Sequence, residues 1–271
     1  MSARIRSALA AGVATLGVAA AAAGPASAAV SKCQAQNVTL GTKESPNLQA
    51  LIDAAGAGNT IQVKGICVGN YTIAKSLTVF GKPTKEVPAP TLDGNATGSV
   101  VTISGEPAPT VAIRDLTTTN GSAQIGAGIY NRGATLSLTD VVVRNNVGTG
   151  TVQDPRSFGG GVFSLGTLTI GGSSVFRDNR AAFGGGFYVT GEATLNDSVS
   201  ITGNSAGDGG GIYVGLFALL TLNDSSSVTN NSAQFGGGGI TCSLNATVTG
   251  AVVGVGGNVY DNTPTDITTC P

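Results

Sequence analysis

The chain has 271 residues, 14 basic and 15 acidic side chains, a formal net charge of −1, and neither histidine nor tryptophan. A nearly neutral balance without a basic stripe argues against a nucleic-acid partner. The lack of histidine excludes Ser-His-Asp and Cys-His catalysis, histidine-ligated zinc and a histidine proton shuttle.

Residues 1–28 read as a secretory signal peptide. Arg4 and Arg6 supply the positive start, Ala8 to Ala23 the apolar stretch, and Ala26-Ser27-Ala28 a small-residue cleavage site. Residues 29–271 are then expected to form one elongated, secreted all-β domain. No later apolar run reaches about 18 residues, so no membrane span is expected after cleavage. Four cysteines follow, Cys33 and Cys67 near one end and Cys242 and Cys270 near the other. Four cysteines allow three pairings; Cys33–Cys67 with Cys242–Cys270 would pin the two ends of a rod. No pair has the short spacing that zinc prefers, and no metal site is expected.

Residues 45–55 predict the one helix. Ser45 is placed to cap it, Pro46 suits the first helical position, and Leu48, Leu51, Ile52 and Ala55 share one apolar face before Gly56. Short strands come next. Thr60-Ile61-Gln62-Val63 and Leu77-Thr78-Val79-Phe80 alternate, Pro83, Pro88 and Pro90 mark a loop, and Val100–Ile103 and Val111–Ile113 resume the pattern.

A glycine triplet followed by an apolar pair then recurs: Gly126-Ala127-Gly128-Ile129-Tyr130, Gly159-Gly160-Gly161-Val162-Phe163, Gly184-Gly185-Gly186-Phe187-Tyr188 and Gly209-Gly210-Gly211-Ile212-Tyr213. A fifth copy, Gly236-Gly237-Gly238-Gly239-Ile240-Thr241, has an extra glycine, and the third glycines lie 33, 25, 25 and 27 residues apart. A period near 25 marks a solenoid whose repeats bury their apolar sides only by stacking. Each repeat resolves into three short strands, such as Val162-Phe163, Thr167–Ile170 and Ser174–Phe176. Roughly eight parallel coils about 4.8 Å apart give a rod of about 40 Å, with the helix plugging its open end. The predicted fold is a single-stranded right-handed parallel β-helix with an N-terminal capping helix.

Asn146, Asn179, Asn204 and Asn231 close the third strands, with Asn262 as the terminal member. Stacked amides can hydrogen-bond along the rod, which gives this column a structural role. The 33-residue step reflects an insertion at 147–158, a loop placed to carry contacts.

The segments Asn47–Ala55, Thr60–Val63, Lys75–Gly81, Thr91-Leu92-Asp93-Gly94 and Ile113–Thr117, together with the Gly-Gly-Gly-Ile-Tyr and Asn-Ser-Ala repeats, resemble secreted right-handed parallel β-helix proteins of the pectin-lyase-like superfamily. The glycine-rich repeats are also similar to those of polymorphic outer-membrane proteins. The resemblance spans about residues 45–267 and implies the β-helix fold and polysaccharide ligands. The superfamily's Trp-Ile-Asp-His, Arg-x-Pro-x-x-Arg and Gly-His-Gly signatures are missing from this chain.

Two functional readings follow. In strands, neighbours alternate faces. If Ile129, Val162, Phe187 and Ile212 point inward, then Tyr130, Phe163, Tyr188 and Tyr213 form an outward aromatic column that suits sugar faces or, alternatively, only stabilises the stack. This predicts a non-catalytic protein that binds carbohydrate or another surface ligand along a lateral face, without a cofactor. The alternative is a lyase or glycosidase acting on acidic polysaccharide. It would use Arg144, Arg177, Asp178 and the loop residues Asp154 and Arg156, with Ca²⁺ needed only for the lyase. A structural or self-associating surface protein is a third reading. The threonines are read as holding no single outward column, which argues against an ice-binding face.

Overall fold

A computed structural model describes residues 32–150, 156–223, 225–251, 258–268 and 270. The expected signal peptide at 1–28 and the candidate Asp154 lie outside the described residues. The chain forms a β-solenoid of about seven stacked parallel turns. A regular coil carries four strands, as in Val162–Ser164, Leu168–Gly171, Val175–Arg177 and Arg180–Phe183. Stacked in register, these build a first sheet of eight strands, a second of nine, a third of eight and a fourth of five. The fourth sheet corrects the three-strand reading. Its strands, including Ser122–Ala123, Ser205–Asp208 and Ser232–Ala233, consist largely of Ser, Ala and Gly. Such residues have little strand preference of their own, so pairing with adjacent coils makes them strands.

The core is the inside of this tube. Val162, Leu168, Ile170, Phe176, Phe187 and Ile212 are fully buried, as the alternation within each strand requires. Glycine triplets turn the chain from the fourth sheet into the first. Gly184 has φ +66°, and a Cβ on Gly186 would lie 2.5 Å from the carbonyl oxygen of Gly211 in the next coil. Both the turn and the close approach of coils therefore need a residue without a side chain. Ile212 pairs with Ile240, a step of 28 residues, so Gly239 rather than Gly238 precedes the equivalent strand.

At the turn from the third sheet to the fourth, Asn120, Asn145, Asp178, Gly203, Asn230 and Asp261 all adopt positive φ, a conformation that Asn, Asp and Gly tolerate best. The next residue in most of these coils is the predicted asparagine. Asn146 Nδ2 donates to Asn179 Oδ1 at 3.0 Å, Asn179 to Asn204 at 3.0 Å, Asn204 to Asn231 at 2.9 Å and Asn231 to Asn262 at 3.0 Å. Each accepting oxygen also takes the backbone N–H of the preceding member, so Asn204 Oδ1 bonds Asn179 N at 3.0 Å. Asn146, Asn179, Asn204 and Asn231 are all buried, and the ladder satisfies polar groups that have no access to water.

The ends are closed as well. Disulfides join Cys33 to Cys67 and Cys242 to Cys270. Strand Gln34–Asn37 runs antiparallel to Asn59–Lys64 and covers the first edge of the second sheet. The helix spans Leu48–Ala54, shorter than predicted, and its cap is Asn47 rather than Ser45; Asn47 Oδ1 accepts from Ala50 N at 3.0 Å. Ser45 is held extended by paired 2.8 Å backbone bonds to Ala35, so the helix cannot begin there. Leu48 and Ile52 turn inward onto the core.

On the outside of the second sheet the threonines hold no unbroken column, as expected from the sequence: Ala112 and Ser137 interrupt the row that runs in register from Thr60 to Thr249.

Candidate binding trough

The fourth sheet positions a concave surface. Its small residues lie low, and three depressions follow one another over it. The first, about 440 Å³, is lined by residues including Asp93, Asn120, Asn145 and Val147. Val147 passes into the second, about 780 Å³, whose lining includes Ser157, Arg180, Ala182, Ser205, Gln234 and Phe235. Ala182, Gly207 and Phe235 are shared with the third, about 280 Å³, which adds Arg156, Phe183 and Asp208. The shared residues join the three into one trough along the stack. It crosses five inter-coil spacings, or about 24 Å.

The last residue of the inserted segment shapes one bank: Phe158 bridges Ile125 on one side and Phe183 on the other. Phe158 and Phe183 stack at 5.4 Å and meet the predicted aromatic column edge-on: Phe158 contacts Tyr188 at 5.5 Å, and Phe183 contacts Tyr213 at 5.5 Å.

The column itself has the predicted register. Tyr130 pairs with Phe163, Phe163 with Tyr188 and Tyr188 with Tyr213, while Ile129, Val162, Phe187 and Ile212 point inward. Its rings are packed on one another. Phe163 and Tyr188 stack at 5.2 Å, Tyr188 and Tyr213 at 4.7 Å, and Phe163 is only 8% exposed. Arg132 lies over the Tyr130 ring at 5.6 Å. Stacking along the rod occupies ring faces, so edges rather than flat faces turn to solvent. Burial, and secondarily the neighbouring Tyr213, pushes the Tyr188 hydroxyl up to about 12. The column thus works as the backing of the trough wall. The freely presented face belongs to Phe235, 77% exposed at the junction of the second and third depressions.

Polar groups are spread along the trough. Arg180 is exposed, and Gln234 and Ser205 share its depression. Asp208 Oδ1 is buried without a hydrogen-bond partner. The extra glycine of the fifth repeat explains its position: a Cβ on Gly236 would fall 1.6 Å from that oxygen. At the other end, Asp93 accepts from Asn95 N at 2.8 Å and Asn120 Nδ2 at 2.9 Å.

Of the predicted catalytic residues that are described, Arg144, Arg177 and Asp178 lie together and Arg156 lies apart from them. Arg144 and Arg177 pair in register on the third sheet, and Arg177 forms an ion pair with Asp178 at the adjoining turn. Arg156 instead lines the far depression with Phe183 and Asp208. Asp93 and Asp208, the carboxylates among the described trough residues, are separated by four coils, about 19 Å from strand spacing alone. Paired glycosidase carboxylates stand roughly 5–10 Å apart. Among the described residues, no three His, Cys, Asp or Glu side chains gather in a metal-binding group.

The trough residues Arg180, Ser205, Asp208, Gln234 and Phe235 were absent from the sequence-based site. The Asn-Ser-Ala repeats mark the fourth sheet, but only stacking reveals it as the floor of a groove. No protein-family model, curated protein or solved structure matches the chain.

Proposed function

We propose that this is a secreted protein of the pectin-lyase-like β-helix type that binds an extended carbohydrate chain in the fourth-sheet trough, without turnover. One observation carries this reading: a continuous groove runs along the coils with the exposed Phe235 ring on its bank and Arg180, Gln234 and Ser205 beside it. An apolar ring face together with dispersed hydrogen-bonding groups matches the two kinds of surface a pyranose chain offers. The aromatic column and the asparagine ladder keep the walls rigid, so little ordering is needed on binding. The two disulfides are compatible with an extracellular protein.

The test is affinity electrophoresis and calorimetry against a panel of neutral and acidic polysaccharides, with mass spectrometry of the soluble fraction. Retardation by at least one polysaccharide, weakened about tenfold by Phe235→Ala and with no new products, is the expected result. Binding that survives both Phe235→Ala and Arg180→Ala would remove the trough from the reading. Unsaturated or newly reducing products would replace it with the lyase or glycosidase alternative.

A further inference from the structure

The outward row of the second sheet reads, coil by coil, Thr60, Thr78, Ala112, Ser137, Thr169, Thr194, Thr221 and Thr249. It contains no charged or aromatic side chain. Its regularity extends to height: the first seven members are all half-buried, and only terminal Thr249 is exposed. A second row lies two residues upstream, where Thr110 pairs with Thr135; Thr167 continues it, and Thr247 returns after Glu192 and Leu219. Ser137 and Thr139 share one strand with Thr135, so the middle of the face carries hydroxyls in two dimensions.

The spacings follow from the fold. Adjacent coils set members of a row about 4.8 Å apart, and alternate residues of one strand stand about 6.6 Å apart. Parallel stacking in register keeps the array periodic over many coils. Threonine adds rigidity, because branching at Cβ restricts χ1 and fixes the hydroxyl and methyl in place. Thr249 Oγ1 donates to Thr221 Oγ1 at 3.1 Å. Among the described residues, the hydroxyls of Thr60, Thr78, Thr169 and Thr194 have no partner in the protein. Their partner is water, and water bonded to a rigid periodic row inherits its spacing.

We propose that the outer face of the second sheet adsorbs to ice. Three features select this ligand. The hydroxyl array is periodic at distances comparable to the oxygen repeats of an ice surface. The methyl groups between hydroxyls favour an ordered, cage-like water layer over strongly bound individual waters. The row itself lacks the ring faces that a polysaccharide surface would require; the ring beside it, Phe80, is covered by Arg114 at 5.3 Å, and the trough lies on a separate sheet.

The experiment labels the purified, disulfide-intact protein fluorescently and grows a polycrystalline ice hemisphere in its dilute solution. Wild type is expected to enter the ice and to inhibit recrystallisation. The double variant Thr169→Tyr/Thr194→Tyr raises two rings from the middle of the row, at positions where a strand accepts aromatics. It should be excluded from ice while its circular dichroism stays native. Arg180→Ala, in the trough, should enter ice as wild type does. If the double variant fails to fold, Thr194→Lys puts a strongly hydrated charge in the row and should likewise abolish incorporation. Exclusion of the wild type from ice, or incorporation of a folded row variant to the wild-type extent, overturns the proposal.

Discussion

The second and fourth sheets are made by the same coils and differ in what repetition does for them. In the second sheet, strands such as Thr135–Thr139 pair over four or five residues, and the inward side chains and one outward row of small residues are repeated from coil to coil. In the fourth, strands are two to four residues long, the insertion follows Val147–Gly148, and the row Phe158, Phe183, Asp208 passes from two stacked rings to a carboxylate. Repetition yields a lattice, and broken repetition over small residues yields a cavity. Shape on a solenoid therefore depends on where the repeat fails.

The largest way to separate the two regions is to break the asparagine ladder, which borders the fourth sheet and is remote from the second. Asn204→Leu keeps the volume but leaves Asn179 N–H unpartnered and removes the amide bonds Asn179–Asn204 and Asn204–Asn231, while Asn179 Nδ2 keeps Val143 O and Asn231 Oδ1 keeps the backbone N–H of residue 204. At roughly 1–3 kcal/mol for the buried orphan and roughly 1 kcal/mol for each amide bond lost, a loss of about 4 kcal/mol is expected in urea unfolding. Hydrogen exchange should show 205–208 losing protection before 192–195. If both segments lose it together, the sheets are one cooperative unit and the comparison fails at the level of stability.

Removing the terminal staple should cost slightly less and touch neither face directly. Cys33→Ser/Cys67→Ser opens a loop of sequence separation 34, for which about 3–4 kcal/mol is expected. The double variant should fray from the N-terminal end in proteolysis while polysaccharide affinity is retained.

Phe235→Ala should sharpen the contrast without destabilising the fold. A ring 77% exposed contributes little to the core, so stability should stay within about 0.5 kcal/mol while trough affinity falls about tenfold. Ice incorporation should be unchanged.

The smallest expected effect is in alkali. The Tyr188 hydroxyl ionises at about 12 in the folded chain and near the ordinary model value of 10.0 when unfolded. A raised folded value means that the neutral form is favoured by folding; its contribution is complete below pH 10 and is lost as pH rises towards 12. A modest decline in stability is expected over that window, with a late step in phenolate absorbance. Tyr188→Phe should reduce both without abolishing them, because the buried Tyr71 hydroxyl is also pushed up to about 12, and should leave the second-sheet face unaltered.

Much of the scaffold was legible in the sequence because solenoid physics is local and repeated. Glycine triplets, inward Ile129, Val162, Phe187 and Ile212, the ladder asparagines and the four cysteines each follow from turn sterics, alternation or the need to satisfy buried amides. The helix start was misplaced, since what decides it is the pairing of Ser45 with Ala35 across the chain. The functional surfaces were less legible. Arg180, Asp208 and Phe235 sit in segments with little strand preference, and their grouping exists only once unequal coils of 25, 28 and 33 residues are brought into register. Sequence by itself determined that the chain must coil and what each coil buries. The tertiary structure decided which outward residues meet, because alignment between coils is set by pairing of the inner residues and not by distance along the chain.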